Sequence, residues 1–354
     1  MPIHTANIEK NGCKPLNLNF KITLLSLVTL TVLLTIFAAA CAQTEPEQVV
    51  FMAGYKPQAN LPFTAAYIAQ EKGFFEEQGL NVEIRHASSG EHLQLLMSGD
   101  VDFTTADAPS VLKRRADPGL PIVAFALFGQ RGQQGFLALK DSGIATPTDW
   151  EGRTFGYKVS IPPDYLAIVE SQQVDRSAVQ EVRVGFDPRV LTEGQVDILA
   201  VFKSNEPDTV RSMGFDVTLW DPADFGVPTL GLTYITREEL ANSESDKVER
   251  FLKATMKALE YARDNREEAV EIVLKYAPEE DPAHQRYMLD TELADAVSPL
   301  TDQRGLGQMS AEQWQALYDH LTAHEALPKP FDYNDAFNSD FLDAIYDGST
   351  LKWP

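Results

Sequence analysis

Apolar residues fall into two kinds of run along this chain: short unbroken blocks, and longer stretches in which apolar positions recur every three or four residues. The first block, Val49-Val50-Phe51-Met52-Ala53, reads as a buried strand, and Phe63 to Gln78 carries helical spacing until Gly79 stops it. Val82 to Arg85 and Val101 to Thr104 are further strands, separated by a helix over His92 to Met97. Alternation of this kind predicts an α/β fold with a largely parallel sheet. Strand-like runs at Ile122–Leu127 and Gly135–Leu139 follow, and after Asp149-Trp150-Glu151-Gly152 the cycle restarts. Thr154–Tyr157, Val182–Val184, Val196–Ala200, Val217–Trp220 and Thr229–Thr236 are predicted strands, with a helix over Asp164 to Gln172. A second lobe therefore repeats the design of the first without repeating its sequence.

Beyond Arg237 the pattern turns helical, with amphipathic stretches over 246–276 and 310–324. Ser310 followed by Gln313 is a capping box, and Trp314, Leu317 and Leu321 share one helix face, which assigns Trp314 to packing. The tail from Pro328 has no period and is expected to wrap the first lobe.

The first 41 residues differ in kind. Lys10, Lys14 and Lys21 precede an apolar run of about sixteen residues, Ile22 to Phe37, which suits a signal peptide and is short for a spanning helix. The run ends in Ala38-Ala39-Ala40-Cys41, similar to a bacterial lipobox, although Ala38 stands where Leu is commoner. The expectation is a signal peptide over 1–40, lipid on Cys41, and a short tether over 41–48. Cys13 falls in the removed segment, so the mature chain keeps one cysteine, with no intrachain disulfide and no thiolate zinc site.

Composition adds limits. The 354 residues are 44% hydrophobic and 23% charged, an ordinary globular balance with room for two lobes. A formal net charge of −22 repels phosphate backbones and so argues against nucleic acid as a partner. No H-E-x-x-H, G-x-S-x-G, Walker loop or dinucleotide glycine fingerprint occurs. The carboxylate pairs Glu76-Glu77 and Glu267-Glu268 sit in helical, solvent-facing patterns. No catalytic residue, metal site or cofactor is expected.

Several motifs occur in a recognisable order: Phe63-Thr64-Ala65-Ala66-Tyr67-Ile68-Ala69-Gln70-Glu71-Lys72-Gly73-Phe74-Phe75, then Gly99-Asp100-Val101-Asp102-Phe103, Gly152-Arg153-Thr154-Phe155-Gly156-Tyr157 and Gly194-Gln195-Val196-Asp197-Ile198. With Glu206-Pro207 and Gly226-Val227-Pro228 they cover roughly 49–270. This set resembles solute-binding proteins of the thiamine-pyrimidine, sulfonate and riboflavin group. The resemblance implies a two-lobed type II periplasmic binding protein fold, each lobe a mixed sheet flanked by helices, with the ligand cleft between them. It implies a first lobe of 48–140 plus 225–354, and a second lobe of 141–224. It also implies a monomeric, lipid-anchored component of an ABC importer, facing the periplasm or exterior and serving a membrane permease.

Loops at the carboxyl ends of the strands nominate the pocket. They supply Tyr55, Gln58, Asn60, Phe63, Ser89, Asp107 and Phe128 from the first lobe, and Tyr157, Tyr165, Phe202 and Glu206 from the second, with Lys56, Arg131, Lys158 and Phe186-Asp187 nearby. Ser89 also reads as a helix cap. Aromatics offer π-faces to a flat ring, while Gln58, Asn60, Asp107 and Glu206 bond heteroatoms. The mixed charge suits an uncharged heterocycle. Thiamine-pyrimidine binders of this group show Trp and His in the first loop, whereas Tyr55 replaces the Trp here and Leu61-Pro62-Phe63 holds no His. The chain looks nearer the riboflavin binders, with a thiamine-precursor pyrimidine or a sulfonate as alternatives. A related eukaryotic branch makes the thiamine pyrimidine with a Cys-rich motif that this chain lacks. A lipid-anchored enzyme on the same fold, or a purely structural lipoprotein, are the readings from other classes.

Overall fold

In the computed structural model, which describes Pro2 and residues 45–354, the predicted alternation condenses into two five-stranded mixed sheets. The proposed signal peptide and Cys41 lie outside the described residues. Glu47 and Gln48, expected in the tether, already pair with Leu80 and Asn81. Both sheets lie within the unit Pro46–Pro354.

The first sheet opens with β1 (Glu47–Ala53), from which the chain enters helix α1 (Leu61–Glu71) and returns through β2 (Leu80–His86), parallel to β1. Helix α2 (His92–Ser98), β3 (Phe103–Asp107), helix α3 (Ala108–Ala116) and β4 (Ile122–Leu127) complete this run. Every residue of β4 is buried, as its unbroken Ile-Val-Ala-Phe-Ala-Leu sequence requires of a strand covered on both faces.

The chain then crosses to the second sheet. Its strands are β5 (Gln134–Leu139), β6 (Thr154–Tyr157), β7 (Gln180–Arg183), β8 (Ile198–Phe202) and β9 (Val217–Trp220), with helices α4 (Pro163–Ser171) and α5 (Glu206–Ser212). The strand order is β7-β6-β8-β5-β9, with β5 antiparallel to β8 and β9. The segment over 134–139, expected in the first lobe, therefore belongs to the second sheet, because its hydrogen-bonding partners lie there. The chain crosses back over 221–231 into β10 (Leu232–Arg237), which lies antiparallel between β3 and β4 in the order β2-β1-β3-β10-β4. Each sheet thus has the same plan, and each receives its antiparallel strand from one of the two crossings.

Three later helices matter for the site: α6 (Ser245–Asp264), α7 (Pro282–Asp295) and α8 (Ala311–Ala323). The amphipathic stretch over 246–276 breaks at Asn265, whose φ of −130° and ψ of 54° leave the helical region. Phe251 of α6 packs against Phe51, Phe103, Phe125 and Tyr234, the aromatic centre of the first lobe. Ser310 and Gln313 form their capping box, and buried Trp314 stacks on Phe337 at 5.3 Å. The tail packs on the first lobe, where Asn338 N donates to Ala124 O at 2.8 Å and Trp353 meets Phe74 edge-on. No helix among the described residues is long and apolar enough to cross a membrane.

Candidate functional site

The two sheets face each other across a chamber of about 640 Å³, which continues into a smaller annex of about 260 Å³. Asp107, Ser110, Gln133, Lys158, Phe186 and Phe202 line both compartments, so the two form one cleft. Among the sequence-predicted residues, Tyr55, Gln58, Asn60, Phe63, Asp107, Phe202 and Glu206 line the chamber. They converge because they lie in or beside the loops that end the strands.

The other four stand elsewhere. Tyr165, inside α4, is buried in the second lobe's core, stacked on Phe155 at 4.0 Å and on Trp150 at 5.8 Å. Tyr157 is on a strand and packs towards the same Phe155. Phe128 is buried edge-on against Tyr234 at 4.6 Å. Ser89 does not cap α2: its N–H and hydroxyl both donate to the Glu91 carboxylate, and its side chain is outside the cleft. Backbone N–H groups of Ser88, Glu91 and Ser89, with the Ser88 hydroxyl, hold that carboxyl down at about 2.

Three large rings in the cleft are free of the core: Tyr55 is 58% exposed, Phe186 68% and Phe202 44%. Tyr55 belongs to the first lobe, and the two phenylalanines to the second. Lys158 Nζ sits 5.1 Å from the Phe202 ring centre and 5.5 Å from that of Phe186, and pairs with buried Glu206. Glu206 also accepts from Phe202 N at 2.8 Å, which pins the start of α5 to the end of β8. Lys56 pairs with Glu280, and Asp107 caps α3 by accepting from Ser110 N at 2.6 Å. Lys158, Glu206 and Lys56 are thus neutralised within the protein, leaving rings, neutral polar groups and the cationic side chains of Arg114 and Lys113, which have no ion-pair partner among the described residues, to meet a solute.

Sequence reasoning missed part of the wall. His92, Ser110 and Arg114 line the chamber from α2 and α3, and His284 and Met288 from α7. Ser110 and Arg114 follow Asp107 at helical spacing, a signal that was available. Burial holds His92 below its ordinary value, and its Nδ1 is buried without a partner. His284 bridges the lobes, its Nδ1 2.7 Å from Asp208 Oδ2 and its Nε2 3.0 Å from Asn205 Oδ1.

Behind the chamber, α7 presents Glu292 and Asp295 to both lobes. Glu292 is buried and accepts from Asn60 Nδ2 at 2.5 Å, Leu61 N at 2.6 Å and Ser204 Oγ at 3.2 Å. Burial nevertheless pushes its carboxyl up to about 7. Asp295 is also raised by burial, against the pull of Lys203 at 2.9 Å. Lys203 meets Asp221 at 2.5 Å, and Arg131 meets Asp221 at 2.8 Å and Asp224 at 2.5 Å, tying the crossings to α7. Among the described residues no three His, Cys, Asp or Glu side chains are grouped to hold a metal ion.

Two mixed α/β sheets, joined by two crossings and enclosing a cleft, define the two-lobed periplasmic binding protein fold. The periplasmic aliphatic sulphonate binding protein SsuA from Escherichia coli shares it with a TM-score of 0.64 at 15% identity, over 87% of this chain and 96% of that one. The chain belongs to the NMT1/THI5-like family, whose model matches residues 60–269. It is 27% identical to the formylaminopyrimidine-binding protein of Halalkalibacterium halodurans, over 88% of this chain and 97% of the relative. It is also 27% identical to the riboflavin-binding protein RibY of Chloroflexus aurantiacus, over 85% of this chain and 88% of that protein.

Proposed function

We propose that the chain is the extracytoplasmic solute-binding component of an ABC importer, anchored by lipid on Cys41, and that its solute is riboflavin. The observation that carries the flavin reading is the set of exposed rings, Tyr55 from one lobe and Phe186 and Phe202 from the other, around a chamber of about 640 Å³. Rings left outside both cores lower the free energy of a flat heteroaromatic solute by stacking, and a chamber of this volume takes a drug-sized molecule. The three fused rings of an isoalloxazine use that volume, and the annex offers a place for the ribityl chain. Closure of the lobes would then bury both.

The equal identity to a formylaminopyrimidine binder favours a second reading, in which a one-ring solute occupies part of the chamber. Titrating purified full-length protein with riboflavin separates the two. Saturable quenching of flavin fluorescence at micromolar concentration supports the first. Absence of quenching, with formylaminopyrimidine raising the melting temperature instead, reassigns the solute. The anchor is tested separately: Cys41→Ala should release the protein from the membrane fraction, and its retention there overturns the lipid assignment.

A further inference from the structure

Two side-chain amides stand in series on the first lobe's side of the chamber. Asn60 Nδ2 donates to Glu292 Oε1, and Gln58 Nε2 donates to Asn60 Oδ1. An ionised carboxylate only accepts, so Asn60 must turn its NH2 to Glu292 and its oxygen outward. That oxygen takes the Gln58 NH2. Gln58 is left with its own carbonyl oxygen, which meets no protein donor among the described residues, and its side chain lines the chamber. Amide orientation is set by partners, and here one buried group orients two amides in succession.

We propose that Glu292 is a positioning residue that determines specificity: through Asn60 it fixes the polarity of Gln58, so that the chamber presents an acceptor and selects a solute with a ring N–H at that point. The inference rests on the flavin reading, because the oxidised isoalloxazine carries one such group, N3–H. Glu292 itself lies behind Asn60 and needs no contact with the solute.

The opposite polarity is open to the same atoms. A protonated Glu292 donates, Asn60 turns its oxygen inward and its NH2 to Gln58, and Gln58 then shows its NH2 to the chamber. Burial brings Glu292 to about 7, so both arrangements are within reach near neutral pH. The charged groups around it are few. Asp295 lies one turn along α7, with Lys203 and Arg131 beside it and Asp221 beyond them. The atoms that touch Glu292, from Asn60, Leu61 and Ser204, are uncharged.

The test is fluorescence titration of the full-length protein with riboflavin and with N3-methylriboflavin, in wild type, Glu292→Gln and Gln58→Leu. At about pH 8 the wild type should prefer riboflavin by about tenfold or more, since a site built to bond an N–H rejects the analogue lacking it. In Glu292→Gln the new amide satisfies Leu61 N with its oxygen and donates to Asn60, reversing the relay, and the preference should fall below about threefold. Gln58→Leu removes the acceptor and should do the same. Rejection of the methyl group on size alone would persist in Gln58→Leu and overturns the proposal. Equal affinity for both flavins in wild type, or an unchanged preference in the variants, also overturns it while the flavin reading stands. If riboflavin does not bind at all, both fall. Should Glu292→Gln not fold, Gln58→Leu decides, because that half-buried side chain carries no buried charge.

Discussion

Gly129 and Gly231 hold the two interlobe crossings against each other, Gly231 N donating to Gly129 O at 2.8 Å. A Cβ on Gly129 would lie 2.7 Å from Gly231 Cα and 2.8 Å from Arg131 O, and one on Gly231 would lie 2.9 Å from both Gly129 Cα and Arg131 O. All of these are backbone atoms, so no rotamer change relieves the clash. Gly231→Ala should therefore force the crossings apart and destabilise the protein by about 1–3 kcal/mol. Urea unfolding measures the loss. A midpoint equal to that of wild type would show that the crossings need not touch.

The architecture was legible because its signals are local. Unbroken apolar blocks such as Ile122–Leu127 bounded by Pro and Gly read as covered strands, and Ser310 with Gln313 ahead of an apolar face marks a helix start. Loop position found Tyr55, Asn60, Asp107 and Glu206, since the ends of parallel strands point to one side. It failed for Tyr165 because a residue inside a helix faces whatever the helix packs on, here Phe155. Lobe membership of 134–139 was not legible, since pairing with β8 and β9 depends on distant partners. Helix α7 supplied Glu292 from far along the chain. Its signal was present: Gln285, Met288, Glu292 and Asp295 recur at helical spacing, placing three polar groups on a face that a simple surface helix would keep apolar.

Phe202 and Tyr165 make opposite predictions. Phe202 is largely free of the core, so Phe202→Ala should weaken riboflavin binding by about tenfold, near 1.4 kcal/mol, and leave the melting temperature almost unchanged. Tyr165 is wholly buried against Phe155 and Trp150, so Tyr165→Ala should cost about 3–5 kcal/mol of stability. Tyr165→Phe keeps the stack and should leave riboflavin affinity where it was. Calorimetry and flavin titration on the three variants check this. A loss of affinity in Tyr165→Phe would return that residue to the cleft.

Lys158 and Glu206 form a pair whose side chains are only 11% and 4% exposed, and removing one member strands the other charge. Lys158→Met should destabilise by about 3–5 kcal/mol. Replacing both, as Lys158→Met with Glu206→Leu, should recover part of that loss but forfeit the bond to Phe202 N. A double-mutant cycle by urea unfolding measures the coupling. Strict additivity of the two single losses would show that the pair does not act as one.

Glu292 also predicts how stability depends on pH, and the sign follows from its direction of shift. Burial raises its folded value from 4.5 to about 7, so between these limits the folded protein keeps a proton that the unfolded chain has released. More protons on the folded state means that stability falls as pH rises through this window and levels off above it, a total of roughly 3 kcal/mol at most. Asp295 is raised too, and adds to the fall. Carboxyls held down by their partners, such as Glu47 by Arg250 and Lys247 against the opposing effect of burial, act in the other direction, losing their contribution as the medium turns acid. Their effect lies below the window in which Glu292 changes charge. Glu292→Gln cannot ionise, so its stability should be flatter than that of wild type between about pH 5 and pH 7, with Asp295 accounting for the slope that remains. Urea denaturation of both proteins across that range gives the difference directly. Parallel curves would show that Glu292 titrates alike in the folded and unfolded chain, and would remove the proton from the account of how Asn60 is held.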